Sequence, residues 1–382
     1  MLERPNGGQR AVIVGLAIGS KRVDAGLAEL EALVASAGAT VVGRVTGRRP
    51  APDPALYAGR GKVDEISHLR EEAKADLVIF DHVLSGVQQR NLEQALACRV
   101  VDRTSLILDI FAQRARSAEG KLQVELAQLA HLSTRLVGGW THLERQKGGI
   151  GLRGPGETQL ETDRRLIAKR VKALTTRLAG VARSRATQGR TRRRAAVRTV
   201  ALVGYTNAGK STLFNALTRA DSYAADQLFA TLDTTSRRVH IAADVDAVLS
   251  DTVGFIRGLP HQLIEAFKST LDETAEADLL LHVVDAASPA REEQMAEVDR
   301  VLTEIGAADV PRIVVFNKID LADREPGAVR DPCDTIVSVA VSARTGAGLD
   351  LLRGAIAEFS RRSTAEVQPS DEAPSWSRAA TA

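Results

Sequence analysis

The strongest chemical signal in the chain is a glycine-rich segment that ends in a lysine and a serine. Residues 204–211 read GYTNAGKS and match the phosphate-binding pattern G-x-x-x-x-G-K-[ST] between a predicted strand and a predicted helix. Backbone N–H groups of such a loop, together with the end of the following helix, hold phosphate oxygens. We expect Lys210 to neutralise the β- and γ-phosphates and Ser211 to bind Mg²⁺. The segment therefore predicts a nucleoside triphosphate site.

Two further segments complete the phosphate side of this predicted site. DTVG ends a predicted strand, so Asp251 can support Mg²⁺ from the second coordination sphere and the Gly254 N–H can reach the γ-phosphate. The preceding segment YAADQLFATLDTTSRR, at 223–238, holds three threonines that can reach the same ion. We favour Thr231 as the Mg²⁺ ligand, with Thr235 as the second choice.

The motif NKID, at the end of another predicted strand, selects the base. Asp320 can accept hydrogen bonds from the ring N–H and the exocyclic amine of guanine, whereas adenine offers no such pair of donors. Asn317 is expected to meet the purine edge and the phosphate loop, and the stem of Lys318 to cover the base plane. SAR follows the next strand, and its Ala343 N–H can bind the guanine oxygen. The pattern predicts GTP rather than ATP.

The predicted nucleotide-binding residues come from five short segments, and Lys210 and Gly254 are the predicted catalytic groups among them. The full set is Gly204, Tyr205, Thr206, Asn207, Ala208, Gly209, Lys210, Ser211, Thr212, Phe229, Ala230, Thr231, Leu232, Asp233, Asp251, Thr252, Val253, Gly254, Asn317, Lys318, Ile319, Asp320, Ser342, Ala343 and Arg344.

The elements that must position these residues follow from the hydrophobic pattern. Two stretches alternate strands with helices, which predicts parallel sheets covered by helices, and long helices separate them. The predicted fold is α/β: a small N-terminal parallel α/β domain, an antiparallel helical hairpin and a Ras-like doubly wound P-loop GTPase domain. The predicted bounds are 1–115 for the first domain, 116–197 for the hairpin with its Gly-rich loop and Arg-rich linker, 198–360 for the GTPase domain and 361–382 for a disordered tail.

Apolar residues recur every three or four positions in both predicted hairpin helices, from Leu122 to Leu136 and from Leu160 to Val181. The second helix is predicted at 158–182. The short helices and the nearby loop favour pairing within one chain, and hence a monomer. Arginines without any acidic neighbour follow, and they either contact RNA or form a solvated linker. The predicted RNA contacts are Arg183, Arg185, Arg190, Arg192, Arg193 and Arg194.

Composition excludes several other classes of protein. Cys98 and Cys333 stand far apart, so neither a disulfide framework nor a thiolate metal site is indicated. The formal net charge of +3 is too small to argue for nucleic-acid binding without the local arginine cluster. No signal peptide or membrane span is recognisable, and the expected location is the cytoplasm.

Three stretches make the chain resemble the HflX family, within the translation-factor class of P-loop GTPases. They are YAGRGKVDEI at 57–66, GGIGLRGPGETQLETDRR at 148–165, and DQLFATLD at 226–233 with DTVGFIRGLPHQLIEAFKSTL at 251–271. The resemblance extends to about residue 360. It implies a GTPase that binds the ribosome, mainly its large subunit, and separates stalled or idle ribosomes. The arginine-rich hairpin is compatible with that partner, since it predicts salt-dependent RNA affinity.

The resemblance also raises two points about catalysis. Ras-type enzymes carry a glutamine after the D-x-x-G glycine, whereas this chain has Phe255, whose ring cannot orient a water. We therefore expect slow intrinsic hydrolysis that the ribosome stimulates. GTPases similar to this one with asparagine at the place of Asn207 can hold K⁺ beside the phosphates, although a hydrogen bond within the loop explains Asn207 equally well.

Two rival interpretations remain open at this stage. The chain could be an RNA or ribosome-assembly scaffold in which GTP only gates a docking surface, and ribosome-stimulated turnover separates the two. Residues 59–62, GRGK, could instead mark a second nucleotide site in the first domain. That fragment is half a phosphate loop, and Arg60 and Lys62 serve equally well as RNA contacts.

Overall fold

The structure, a computed structural model, describes residues 8–19, 24–139, 155–194, 197–218 and 228–367. Its first part is a parallel sheet of four strands in the order β2-β1-β3-β4. The strands are β1 (Arg10–Ile18), β2 (Thr40–Arg49), β3 (Leu77–Phe80) and β4 (Arg99–Asp102). The helices are α1 (Asp24–Ser36), α2 (Arg60–Glu72), α3 (Gly86–Leu96) and α4 (Arg103–Arg114).

Helix α4 is an element that the sequence analysis did not anticipate. It follows β4 without a connecting loop, because the Asp102 carboxylate accepts a hydrogen bond from the Ser105 N–H at 2.8 Å and caps the helix where the strand ends. Its apolar face, which includes Ile107 and Phe111, is buried. A strand and a helix that share one boundary residue leave no turn signal between them in the sequence.

The hairpin consists of α5 (Ala118–Gly139) and α6 (Pro155–Arg194). Arg170 of α6 forms an ion pair with Glu125 of α5 at 2.7 Å, and Leu174 and Leu178 of the predicted stripe are buried. Helix α6 runs well past its predicted end at 182, so the arginine-rich stretch is helical through Arg194 rather than an irregular linker. Arginine, alanine and glutamine are good helix formers, which explains the continuation. The connection through 140–154 lies outside the described residues.

A second sheet has seven strands in the order β10-β11-β9-β8-β5-β7-β6, with the edge strands β6 and β10 antiparallel to their neighbours. The strands are β5 (Arg198–Gly204), β6 (Thr235–Ala242), β7 (Val245–Asp251), β8 (Leu279–Asp285), β9 (Arg312–Asn317), β10 (Gly327–Arg330) and β11 (Ile336–Ala340). The helices are α7 (Lys210–Thr218), α8 (His261–Ala266), α9 (Lys268–Ala275), α10 (Arg291–Glu304) and α11 (Leu349–Val367).

This second part has the predicted α/β, doubly wound character, with two differences in detail. Strand β10 was not predicted, since four mostly exposed residues carry little pattern. Helix α11 ends at Val367, inside the segment that was predicted as a tail. No helix among the described residues is long and apolar enough to cross a membrane.

One apolar core joins the two sheets through the base of the hairpin. Within this core, the ring of Phe111 of α4 packs edge-on against two other aromatic rings. The distance between ring centroids is 4.6 Å to Phe229 and 5.4 Å to Phe267. Phe229 precedes β6 and Phe267 lies between α8 and α9, so both flank the predicted phosphate site. The segments on either side of that site therefore pack against the first domain.

Candidate functional site

The phosphate loop connects the end of β5 to the start of α7, as the motif requires. Lys210 is buried, and its Nζ donates hydrogen bonds to the carbonyl oxygens of Gly204 at 3.1 Å and Tyr205 at 2.9 Å. Burial lowers the pKa of Lys210 to about 8, and the nearby Asp251 opposes this shift. An anionic phosphate would supply the charge that favours the protonated amine. The lysine is thus held inside its own loop at a helix N-terminus.

Three side-chain oxygens converge beside this loop. Ser211 Oγ lies 2.6 Å from Thr231 Oγ1, and the two hydroxyls lie 2.7 Å and 2.8 Å from Asp251 Oδ2. Burial raises the pKa of Asp251, while the hydrogen bond from Ser211 opposes the shift. Within the described part of the chain, the buried Oδ1 of Asp251 has no hydrogen-bond partner. Hard oxygen donors with one carboxylate fit Mg²⁺. Thr235, the second choice, begins β6 instead.

The DTVG segment is hydrogen-bonded to the phosphate loop. Thr206 N–H donates to the Phe255 carbonyl at 2.7 Å, and Phe255 N–H donates to the Gly204 carbonyl at 3.1 Å. A Cβ at Gly254 would lie 2.9 Å from Lys210 Nζ, so a side chain there would displace the lysine. The Phe255 ring is 1% exposed and belongs to the shared core. No hydrogen-bonding group takes the place of the Ras-type glutamine at this position.

The base side of the site is built around Asn317. Its Nδ2 donates to the Ala208 carbonyl of the phosphate loop at 2.9 Å, and its Oδ1 accepts from the Ala343 N–H at 2.9 Å. Asn317 thus braces two loops. Ser342 Oγ donates to Asp320 Oδ1 at 2.6 Å, which fixes an exposed carboxylate in place. The three loops predicted to surround a guanine nucleotide are therefore brought together.

The other predicted residues divide into those that line a cleft and those that turn away from it. The cleft is lined by Thr206, Asn207, Gly209, Lys210, Ser211, Thr212, Phe229, Ala230, Thr231, Thr252 and Gly254. Lys318 Nζ pairs with Asp285 at 2.7 Å, which holds its stem beside the base loops. The side chains of Leu232, Val253 and Ile319 are buried, and Arg344 is exposed. Asp233 points away from the cleft and binds the start of α5.

The lysine of the GRGK fragment bonds to neighbouring residues of its own domain. Lys62 Nζ donates to the Thr46 carbonyl at 2.9 Å and pairs with Glu65 at 2.6 Å. No side chain caps the start of α2 at Gly59. The lysine is therefore engaged within the first domain.

The arginines predicted to contact RNA lie on the carboxyl-terminal part of α6. The backbone of positions 183–194 is helical. Of these side chains the structure describes that of Arg183, which is exposed.

A polar network between the first domain and the phosphate site was missed by sequence reasoning. Arg103 is 5% exposed and pairs with Glu29 and with Asp81, the latter at 2.6 Å. The Tyr205 hydroxyl donates to Glu29 and accepts from the Arg257 N–H at 2.8 Å. Burial, followed by Glu29, raises the pKa of Tyr205. The residues of the first domain belong to no motif and lie far from Tyr205 and Arg257 in the chain, so nothing in the sequence pairs them.

The site combines a phosphate loop that follows a strand and holds a buried lysine, a cluster of hydroxyls with one carboxylate, and a base loop held by an asparagine. These features together define a P-loop GTPase. Family models support this assignment over most of the chain. Residues 24–112 match the GTP-binding GTPase N-terminal model, residues 114–193 match the GTP-binding GTPase Middle Region model, and residues 199–318 match the 50S ribosome-binding GTPase model.

Curated relatives narrow the class to one family. GTPase HflX of Escherichia coli K12 is 55% identical over 359 residues, which are 94% of this chain and 84% of that protein. GTPase HflX of Caldanaerobacter subterraneus is 50% identical over 349 residues, or 91% of this chain and 80% of that protein. The chain belongs to the HflX family of GTPases and hydrolyses GTP, which confirms the resemblance inferred from its motifs.

A solved structure shows the same fold. The crystal structure of SsGBP in complex with GDP superimposes with a TM-score of 0.50 at 24% identity, and the alignment covers 93% of this chain and 99% of that chain.

Proposed function

We propose that this chain is a ribosome-dependent GTPase that acts on the large subunit and separates stalled or idle ribosomes. The observation that carries the proposal is an assembled nucleotide site in which the buried Phe255 stands where Ras-type enzymes carry the glutamine that orients water. Such a site binds GTP but depends on a partner for rapid turnover. The match of residues 199–318 to a ribosome-binding GTPase family supports the ribosome as that partner.

The residues of the site take the following roles in this proposal. Lys210 neutralises charge on the β- and γ-phosphates, and the Gly254 N–H binds the γ-phosphate. Ser211 and Thr231 hold Mg²⁺, and Asp251 supports it from the second coordination sphere. When bound, the metal ion neutralises charge that develops between the β- and γ-phosphates. Asp320, Ala343 and the loops that Asn317 braces select guanine.

The arginine-rich end of α6 is the proposed RNA contact. A helix with clustered arginines can neutralise several phosphates at once, which gives strong and salt-dependent affinity without base recognition. The Arg170–Glu125 ion pair joins the two helices of the hairpin on which this end is carried. Exposed basic residues nearer the middle of α6 provide a matched comparison on the same helix.

We expect purified large subunits to raise GTP turnover by at least about tenfold, and the stimulation to fall steeply with salt. Replacing three terminal arginines with alanine should weaken subunit affinity by about tenfold and lower the slope of log affinity against log salt by about one per lost phosphate contact. The variant carries Arg192→Ala, Arg193→Ala and Arg194→Ala, and its matched control carries Lys169→Ala, Lys172→Ala and Arg177→Ala. Equal losses of subunit affinity in the variant and in its control would show that the end of α6 has no specific role in binding.

The same experiment distinguishes a ribosome-dependent GTPase from a GTP-gated scaffold. Tight GTP binding without any stimulation by subunits would favour a GTP-gated RNA or ribosome-assembly scaffold. Sedimentation of whole ribosomes with the protein and GTP then tests subunit separation directly. Stimulated turnover with intact ribosomes would restrict the function to association.

Potassium dependence is a further part of the proposal. Asn207 lies at the cleft with φ of 61°, a conformation that asparagine tolerates better than most residues. We propose that its amide oxygen helps to hold K⁺ beside the β- and γ-phosphates, where a cation offsets developing charge. Turnover should be roughly tenfold faster in potassium chloride than in sodium chloride at equal ionic strength. Asn207→Gly, which keeps the backbone conformation unstrained, should abolish the difference; equal wild-type rates would remove the potassium role.

A further inference from the structure

We propose that Asp233 is a positioning residue that holds Thr231 at the Mg²⁺ site by binding the start of the hairpin. The proposal rests on the function proposed for Thr231. Asp233 lies two residues beyond that threonine, yet its carboxylate points away from the cleft and reaches α5. The contact ties the segment of the metal ligand to the first helix of the hairpin, whose second helix carries the proposed RNA contact.

The contact is dense and specific. Asp233 Oδ2 accepts hydrogen bonds from the Arg116 N–H at 2.9 Å and the Ser117 N–H at 2.8 Å, and Oδ1 accepts from Ser117 Oγ at 2.5 Å. Ser117 Oγ in turn accepts from the Gly120 N–H at 2.8 Å. A carboxylate at the amino-terminal end of a helix is favoured both by these donors and by the helix dipole.

The shape of α5 accommodates this carboxylate. A Cβ at Gly120 would lie 2.3 Å from Asp233 Oδ1, a distance that no side chain could keep. The two residues before α5 offer three donors, and the first turn of the helix leaves an open approach beside them. An aspartate that only faced solvent would require neither the three donors nor the open approach.

The chain on the other side of Thr231 is equally constrained. Leu228 and Phe229 are buried in the core shared with the first domain, as is Leu232 between Thr231 and Asp233. Phe229 adopts φ of 56°, which is unusual for a bulky residue and persists where the surroundings determine the conformation. The Thr231 hydroxyl thus reaches Ser211 and Asp251 from a segment that is fixed by apolar packing before it and by Asp233 after it.

Helix α5 can hold Asp233 in place, because the helix also contacts the segment that follows DTVG. Gln123 is buried, and its Nε2 donates to Thr270 Oγ1 of α9 at 3.0 Å. The amino-terminal part of the hairpin is thereby connected to both sides of the phosphate site. A displacement of α5 relative to the GTPase domain would move Asp233, and with it Thr231, away from the metal position.

The test compares Mg²⁺ dependence and nucleotide preference in the full-length chain. Asp233→Ala should raise the Mg²⁺ concentration for half-maximal GTP turnover by about tenfold and lower kcat by a similar factor, since charge-assisted hydrogen bonds are lost. GDP lacks the γ-phosphate against which the Thr231 segment closes, so its affinity should change less than about twofold. Asp309→Ala, an exposed aspartate without a role in the site, is the matched control.

Further variants decide between failure of this inference and failure of the proposed function. Thr231→Ala without effect on Mg²⁺ dependence would overturn the metal role of Thr231. A normal Mg²⁺ dependence in Asp233→Ala beside an impaired Thr231→Ala would overturn only the positioning role. In the double variant that carries Asp233→Ala and Thr231→Ala, the Mg²⁺ dependence should equal that of Thr231→Ala alone, because both substitutions act through the Thr231 hydroxyl. Ser117→Ala should show a several-fold shift; if Asp233→Ala does not fold, an unshifted Ser117→Ala overturns the proposal.

Discussion

Asp320→Asn is expected to exchange the base preference from guanine to xanthine. The carboxylate can accept two hydrogen bonds from guanine, each worth about 1.5–3 kcal/mol when one partner is charged, so GTP affinity should fall by roughly 10²–10⁴-fold. An asparagine amide offers one acceptor and one donor, which match the ring N–H and the carbonyl of xanthine. Ser342 fixes the side chain at 2.6 Å, and its hydroxyl can bind either form. Competition by xanthosine triphosphate for the loaded site measures the exchange.

The control for this prediction is Asp323→Asn, a nearby exposed aspartate whose φ of 48° suits asparagine. It should leave GTP affinity and base preference unchanged. Loss of GTP binding in Asp320→Asn without any gain of xanthosine triphosphate would indicate that the loop is damaged. In that case base recognition would have to be assigned to other groups.

Lys210→Ala should reduce GTP turnover at saturating nucleotide by at least about 10³-fold. Groups that stabilise charge on a transferring phosphoryl contribute 10²–10⁵-fold in comparable sites. Lys210 is buried and held by two loop carbonyls, so water cannot replace its ammonium group with the same geometry. Turnover of radiolabelled GTP, with and without large subunits, gives the loss in both basal and stimulated reactions.

Arg237→Ala is the matched control for Lys210→Ala, because it removes an exposed cation from edge strand β6 of the same domain. Its turnover should equal that of the parent chain. A Lys210→Ala variant that keeps folded-state GDP affinity and more than about a tenth of the parent turnover would contradict the catalytic role of the lysine.

The nucleotide site was largely predictable from the sequence because its motifs sit at strand ends. A parallel sheet places the carboxyl ends of its strands at one edge, so GYTNAGKS, DTVG and NKID must meet there. Thr231 was preferred over Thr235, and the structure places it 2.8 Å from Asp251, whereas Thr235 begins β6. Local pattern and topology were sufficient to place these residues near one another, and their roles toward nucleotide and Mg²⁺ stay predictions.

The contacts between domains could not be predicted in the same way. Asp233 and Tyr205 were assigned to the nucleotide by their position within motifs, yet their side chains bind Ser117 and Glu29. Such pairings depend on how two folded parts pack, and a single sequence carries no periodicity that reports this. The extent of α6 was underestimated for a different reason, since the apolar stripe ends before the helix does.

The position of Phe111 between Phe229 and Phe267 has a thermal consequence. Moving either flanking segment separates aromatic surfaces, so part of the resistance to that movement is hydrophobic. Hydrophobic attraction weakens on cooling, unlike a restraint made only of ion pairs. In the cold, this aromatic contribution therefore holds the two segments around the phosphates less firmly to the first domain.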